Sequence, residues 1–95
     1  MNVNPITDPT LRVALVTGST SGIGAAIARK LNHAGYAVVL HSRSSAETGR
    51  AMAAEMKQAI YVQADLSSEA DRVRLVGEAI AAWGQLDVLV NNAGI

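Results

Sequence analysis

A chain of 95 residues with eight basic and eight acidic side chains has room for one domain, and it carries no basic cluster that would attract nucleic acid or an anionic membrane. It has no cysteine, which excludes disulfides and thiolate metal sites, and no apolar span long enough to cross a membrane. Residues 1–10 have no secretory pattern, so we expect a disordered lead-in and a cytoplasmic protein.

Apolar runs and amphipathic segments alternate from residue 11 onward. Four short runs of mostly Val, Leu, Ile and Ala predict strands at 11–17, 36–41, 59–64 and 86–90. Between them, apolar residues at helical spacing predict helices at 22–34 and 46–56, and a third from the cap at Ser68 to the stop at Gly84. The predicted apolar faces are Ile23, Ile27, Leu31 and Ala34 on the first helix, and Val73, Val76, Ile80 and Trp83 on the third.

Two pairs of residues have the spacing of a capping box at the start of a helix. Ser44 with Glu47 precedes the second helix, and Ser68 with Asp71 precedes the third. We therefore expect Ser44 and Ser68 to cap these helices.

The order of the elements predicts how the strands associate. Strands joined through helices with short connections form parallel sheets with right-handed crossovers. The predicted fold class is α/β, a doubly wound parallel sheet of the Rossmann type that is partial, with four strands in the order 3-2-1-4. Ligands of such sheets lie outside the carboxyl ends of the strands, where Gly18, Ser42, Asp65 and Asn91 each follow a strand.

A glycine-rich turn links the first strand to the first helix. Residues without a Cβ allow a tight turn and let a pyrophosphate approach backbone N–H groups at the positive end of a helix. The G-x-x-x-G-x-G spacing differs from the usual G-x-G-x-x-G, and the alternative is that the glycines only turn the chain and let helix pack on strand. The candidate cofactor-binding residues in this turn are Gly18, Ser19, Thr20, Ser21, Gly22, Ile23 and Gly24.

The choice of cofactor is predicted from the end of the second strand. A residue that binds the adenosine ribose is expected about twenty positions after the turn, where this chain has Ser42 followed by Arg43. A carboxylate there would repel a 2′-phosphate, whereas a hydroxyl beside a guanidinium suits one, so we expect NADP(H). The alternative is a solvated turn before a helix.

Two further polar pairs follow the third and fourth strands. The Asp65 carboxylate is placed to accept the adenine amino group while the Leu66 N–H donates to the ring; the alternative is a turn or capping residue. Asn91 and Asn92 offer amides that tie neighbouring backbone segments together, although two asparagines after a strand also form ordinary turns. 

The two histidines have no second ligand at metal-binding spacing. We therefore expect His33 and His41 to cap an element or lie at the surface, and we predict no metal site.

Taken together, these motifs resemble those of the short-chain dehydrogenase/reductase family. Residues 17–24 are similar to its T-G-x-x-x-G-x-G motif, Asp65 to its adenine-contacting Asp, and residues 91–94 to its N-N-A-G motif. The resemblance implies contacts to the pyrophosphate from Gly18, Gly22, Ile23 and Gly24, cofactor choice by Ser42 and Arg43, adenine contacts from Asp65 and Leu66, and ribose and sheet contacts from Asn91, Ala93 and Gly94.

The resemblance also implies what this sequence lacks. In the family, a catalytic Ser and a Tyr-x-x-x-Lys pair follow the N-N-A-G motif, whereas this sequence ends at Ile95. Neither tyrosine has a lysine four positions later, because Tyr36 is followed there by Leu40 and Tyr61 by Asp65. No catalytic residue is therefore predicted.

We expect residues 11–95 to be the N-terminal cofactor-binding part of an NADP(H)-dependent reductase of carbonyl reductase type, inactive alone and truncated or cleaved. Its expected partners are the missing C-terminal segment, a small carbonyl substrate and, when complete, further copies of itself. The alternative is a non-catalytic nucleotide-binding or interaction module.

Overall fold

The computed structural model describes residues 10–93 and consists of one sheet with helices on both of its faces. Its strands are β1 (Val13–Val16), β2 (Ala37–Ser42), β3 (Ala59–Gln63) and β4 (Val88–Val90), and its helices are α1 (Gly22–His33), α2 (Ala46–Glu55) and α3 (Glu69–Trp83). All pairings are parallel and the strand order is β3-β2-β1-β4, which confirms the predicted fold class and topology. No helix within residues 10–93 is long and apolar enough to cross a membrane.

The two faces of the sheet form two apolar clusters. On one face, α1 and α2 cover β1 and β2 through Ala28, Val38, Leu40 and Met52. On the other face, α3 contributes Leu75 and Ala79, which pack with the buried side chains Val13, Leu15, Ala37, Val39, Val62 and Ala64. This division follows from right-handed crossovers, because the chain moves outward from β1 to β3 and then back across the sheet to β4.

The apolar face predicted for α3 is wrong. Val73, Val76 and Ile80 are 67%, 40% and 44% exposed, and the helix instead buries Leu75 and Ala79. Trp83 is partly buried against the same cluster, as expected for a core residue.

The apolar face predicted for α1 is wrong in part. Ile27 and Leu31 pack against the α1 and α2 cluster, but Ile23 is 74% exposed and Ala34 is exposed. The fully buried side chain of α1 is Ala28, which brings this helix close to the sheet.

The helix ends distinguish the two predicted capping boxes. Ser68 caps α3 as expected, because its hydroxyl accepts a hydrogen bond from the Asp71 N–H at 3.2 Å. The prediction for α2 is wrong, since the N-cap is Ser45, and no side chain caps it there. The Ser45 N–H donates instead to the Ser42 hydroxyl at the end of β2, at 3.1 Å.

Candidate cofactor site

A cleft of about 280 Å³ lies at the carboxyl ends of β1, β2 and β3. Its position agrees with the general rule for ligand sites in doubly wound sheets. Eight of the candidate residues line it, namely Gly18, Thr20, Ser21, Ser42, Arg43, Asp65, Leu66 and Ala93. Three lining residues, His41, Ala64 and Ser67, had not been selected from the sequence.

The glycine-rich turn has a backbone that requires its glycines. Gly18 and Gly22 have φ angles of +61° and +58°, in the left-handed region that residues other than glycine rarely adopt. A Cβ on Gly24 would lie under 3.0 Å from the Gly18 carbonyl oxygen and from the Asn92 side-chain nitrogen. The first turn of α1 therefore packs directly on the backbone of Gly18.

The N-terminus of α1 is open to an anion. No side chain caps the helix at Ser21, and no acidic residue lies in the first turn. The free N–H groups and the helix dipole both favour negative charge at this end, which faces the cleft through Thr20 and Ser21.

Asn92 ties the turn after β4 to the turn after β1. Its side-chain nitrogen donates to the Thr17 and Gly18 carbonyl oxygens, each at 3.1 Å. In return, the Thr17 hydroxyl accepts from the backbone N–H groups of Asn92 and Ala93, both at 3.0 Å. The expected tie between backbone segments is thus confirmed for Asn92, whereas Asn91 is exposed.

Ser42 and Arg43 differ in how much of their side chains is free. Ser42 is 6% exposed, and its hydroxyl accepts from the Ser45 N–H and also shares a hydrogen bond with the Tyr61 hydroxyl. Arg43 is exposed at the edge of the cleft, and its carbonyl oxygen accepts from the Gln63 side chain at 2.9 Å. A guanidinium in this position is available to a ligand.

Asp65 combines a turn role with a place in the cleft. Its Oδ1 accepts from the Ser67 hydroxyl at 2.7 Å and from the Ser67 N–H at 3.0 Å. These bonds, followed by the nearby positive charge of Arg43, lower the pKa of Asp65 below its ordinary value, so the side chain is a carboxylate at neutral pH. Its N–H donates to Asp71 Oδ2 at 2.8 Å, which fixes the loop before α3.

The surface role that was one of two expectations for His41 is wrong, because this side chain is only 2% exposed; its ring instead bonds backbone groups just beyond the ends of β1 and β3. Its Nδ1 accepts from the Gly18 N–H at 3.0 Å, and its Nε2 lies 2.9 Å from the Ala64 carbonyl oxygen. Ser19 is also fully buried, and its hydroxyl accepts from the His41 N–H at 2.9 Å. His33, by contrast, is exposed in the last turn of α1, as expected.

The remaining candidates are near the cleft or beyond the described residues. Five of them do not line it, namely Ser19, Gly22, Ile23, Gly24 and Asn91. Gly94 and residues 1–9 lie outside the described residues, so the structure does not bear on their predicted roles. Ala64 and Ser67 flank the selected pair Asp65 and Leu66, and selection of the whole loop would have found them.

Comparison with known proteins identifies the same family by two routes, a family model and individual relatives. The model of the short chain dehydrogenase family matches residues 12–95. A Streptomyces violaceoruber protein named as ketoacyl reductase 2 of the granaticin polyketide synthase is 55% identical over 86 residues, which are 90% of this chain and 34% of that protein. 

Solved structures give the same result. A 3-ketoacyl-(acyl-carrier-protein) reductase from Brucella melitensis, complexed with NADH, has a TM-score of 0.82 at 41% identity, covering 88% of this chain and 34% of that one. A dehydrogenase/reductase from Sinorhizobium meliloti has a TM-score of 0.84 at 39% identity, covering 88% of this chain and 35% of that one. The chain thus spans about a third of the length of these relatives. From its motifs, its topology and these matches, the chain belongs to the short-chain dehydrogenase/reductase family of oxidoreductases.

Proposed function

We propose that this chain is the cofactor-binding N-terminal segment of an NADP(H)-dependent short-chain reductase of carbonyl reductase type. The observation that carries the proposal is a single cleft with an uncapped helix N-terminus at the Gly18 turn, the free guanidinium of Arg43 and the carboxylate of Asp65. A dinucleotide phosphate has the matching groups: a pyrophosphate, a 2′-phosphate and an adenine amino group.

The pyrophosphate is proposed to bind at the start of α1. The candidate residues there are Gly18, Ser19, Thr20, Ser21, Gly22, Ile23 and Gly24. Gly18 and Gly22 shape the turn by their positive φ angles. Because Gly24 has no Cβ, the N-terminus of α1 can lie close to the backbone of Gly18. Ser19 is buried, so we assign it support of the turn through the His41 backbone rather than direct contact.

Selectivity for the 2′-phosphate is proposed to come mainly from Arg43. The Ser42 hydroxyl already accepts from Ser45 N–H and bonds to Tyr61, whereas the Arg43 guanidinium has no partner side chain within the described residues. Charge-assisted hydrogen bonds from a guanidinium to a phosphate are among the strongest that proteins form. Position 42 is a serine, so it has no carboxylate to bind the hydroxyl groups of an unphosphorylated ribose.

The rest of the dinucleotide is proposed to follow the strand ends. Asp65 uses Oδ1 for Ser67, which leaves Oδ2 for the adenine amino group, while the Leu66 N–H donates to the ring. The riboses are assigned to Asn91 and Ala93, at the turn that Asn92 fixes against Gly18, and to Gly94, the next residue in the sequence.

When bound, the nicotinamide would supply a hydride for transfer to or from a carbonyl carbon. The described residues bind and orient the cofactor, and none is assigned as the proton donor. The Tyr-x-x-x-Lys pair is proposed to lie in a C-terminal segment, in line with relatives about three times as long as this chain. The complete protein is proposed to be a cytoplasmic homo-oligomer.

Exposed apolar side chains support a larger protein around this segment. Val73, Val76 and Ile80 on α3 and Leu89 on β4 are between 40% and 67% exposed. Among the described residues β4 pairs only with β1, so its other edge is open. An open edge beside an apolar helix face is a surface that further polypeptide usually covers.

The second candidate function is a nucleotide-binding or interaction module without catalysis. One observation favours it: the described residues 10–93 already form a cleft at the carboxyl ends of three strands, with groups that match a dinucleotide. This candidate would be supported if the purified protein binds NADPH but does not oxidise it in the presence of any carbonyl compound from a test panel.

The test of the proposed function is a titration with NADPH and with NADH, combined with intact-mass analysis to show whether a companion segment is present. Arg43→Gln is expected to weaken NADPH binding about tenfold, because it removes a charge-assisted hydrogen bond worth about 1.5 kcal/mol. NADH has no 2′-phosphate, so its binding should be unchanged. Arg50→Gln is the matched control, because Arg50 is exposed on α2 and does not line the cleft. Equal NADPH affinity in both variants would refute the assignment of Arg43, and binding of neither cofactor by the unaltered protein would refute the function.

A further inference from the structure

We propose that His41 is a positioning residue whose neutral imidazole fixes the Gly18 turn against the end of β3, and that it thereby sets affinity for either nicotinamide cofactor. The second half of this proposal rests on the proposed function. The first half concerns the chain alone and can be measured without a cofactor.

The hydrogen bonds of the ring define one tautomer. The Gly18 N–H donates to Nδ1 at 3.0 Å, so Nδ1 carries no hydrogen. The Nε2 atom, 2.9 Å from the Ala64 carbonyl oxygen, must then carry the hydrogen and donate it. The ring is therefore neutral and uses both nitrogens, one for each neighbouring loop.

The position of His41 in the sheet explains this reach. Val62 of β3 is paired with His41, and Leu40 is paired with Val16 of β1, so His41 lies one residue beyond the end of β1. Side chains alternate along a strand, which places the imidazole on the same side of β2 as Val39. From there one ring bridges the Gly18 turn on one side and Ala64 on the other.

The backbone of His41 strengthens the same connection. Its N–H donates to the Ser19 hydroxyl at 2.9 Å, and its carbonyl oxygen accepts from the Ser19 N–H at 2.8 Å. Gly18 and Ser19 are thus bound to one residue of β2 by consecutive N–H groups. Because His41 and Ser19 are buried, water cannot replace these bonds without opening the turn.

This arrangement separates affinity from selectivity. The Gly18 turn would bind the pyrophosphate, which NADPH and NADH share, so loss of the His41 bond should weaken both to the same extent. Arg43 would contact only the 2′-phosphate. A residue that merely filled space would show no preference for a particular replacement of the imidazole.

The test compares three replacements of His41 in the complete protein. His41→Asn retains an oxygen near the position of Nδ1 and can accept from the Gly18 N–H. His41→Gln places its amide nitrogen near the position of Nε2 and retains only the bond to Ala64, and His41→Leu retains neither. The matched control is His33→Leu, since His33 is exposed and distant from the cleft.

We expect His41→Leu to weaken NADPH and NADH alike, by about tenfold to a hundredfold, because the partly buried Gly18 N–H loses its acceptor and the turn loses the bond that fixes it. His41→Asn should restore most of the affinity, His41→Gln much less, and His33→Leu should bind as the unaltered protein does. Long-range proton–nitrogen NMR of the unaltered protein should show hydrogen on Nε2 alone, and Gly18 amide exchange should quicken in His41→Gln.

Four results would overturn the proposal: a hydrogen on Nδ1, equal affinities for the Asn and Gln variants, an unchanged affinity for His41→Leu, or a loss confined to NADPH. If His41→Leu does not fold, the comparison of Asn with Gln and the NMR tautomer decide the matter. If the unaltered protein binds neither cofactor while Nε2 carries the hydrogen and Gly18 exchange responds as expected, the proposed function fails and the positioning of the turn stands.

Discussion

Alanine substitution of two helix glycines provides a sharp test of how α2 packs on the sheet. A Cβ on Gly49 of α2 would lie under 3.0 Å from three ring atoms of Tyr61 on β3, closer than real Cβ contacts. A Cβ on Gly77 of α3 would have no neighbour within 4 Å apart from its own helix. Both glycines lie inside helices, so Gly77→Ala is a matched control for Gly49→Ala.

The expected magnitudes follow from two opposing terms. Alanine should stabilise either helix by about 0.5–1 kcal/mol, because glycine loses more backbone entropy on folding. Gly49→Ala should also incur an overpacking cost of about 1–3 kcal/mol, because the Tyr61 ring is held by the hydrogen bond of its hydroxyl to Ser42. The free energy of unfolding of Gly49→Ala should therefore lie about 1–3 kcal/mol below that of Gly77→Ala.

Urea unfolding followed by circular dichroism measures this gap, provided that the two variants have the same slope with denaturant. The gap should fall below about 0.5 kcal/mol when both substitutions are repeated in a Tyr61→Ala background, because the obstructing ring is then absent. Two glycine variants of equal stability in the original background would refute the close contact between α2 and β3.

Two further predictions concern the ends of elements. The Asp87 carboxylate accepts from the Val13 N–H and from the Gln85 side chain, and these bonds lower the pKa of Asp87 in the folded protein. Its contribution to stability is therefore complete above the unfolded pKa of about 3.9 and is lost as the pH falls through the lower folded pKa. When the free energy of unfolding is measured as a function of pH, Asp87→Ala should lose less stability in acid than the unaltered protein. Ser68→Ala should lower the free energy of unfolding by about 1 kcal/mol because it removes the α3 cap, whereas Ser44→Ala should leave it unchanged in the same denaturation assay.

The strands and their order were predictable because each local pattern agreed with the others. β1 and β2 are continuous apolar runs in which every residue is buried, as expected for a parallel sheet covered on both faces. The helical periodicity after each strand then indicated parallel strands joined by right-handed helical crossovers, which is the observed topology. The predicted ends differ from the observed ones by a few residues, which is the usual uncertainty at frayed element ends.

The face of α3 was not predictable from its periodicity. The helix carries two apolar stripes, one with Val73, Val76 and Ile80 and another with Leu75 and Ala79. Spacing alone gives no reason to prefer either stripe as the one that packs on the sheet. The stripe that does not pack on the sheet remains an exposed apolar surface, so the same ambiguity supports the proposal of further polypeptide around α3.

The role of His41 could not be read from the sequence because its partners are distant along the chain. Gly18 and Ala64 are each 23 positions away, and they become neighbours only when β2 is placed between β1 and β3. The capping box expected at Ser44 failed for a related reason: the Ser42 hydroxyl, held next to Tyr61 of β3, accepts from the Ser45 N–H, and the N-cap of α2 is Ser45 rather than Ser44.

Three consecutive residues at the end of β2 have different surroundings. Since strand side chains alternate, His41 shares the side of the sheet that α3 covers, and Ser42 the side that α2 covers, where it meets Tyr61. Arg43 comes after the strand and is free in the cleft. A change at Arg43 therefore leaves both buried hydrogen-bond sets intact, so the selectivity proposed for this position can vary without loss of the turn that is proposed to set affinity for either cofactor.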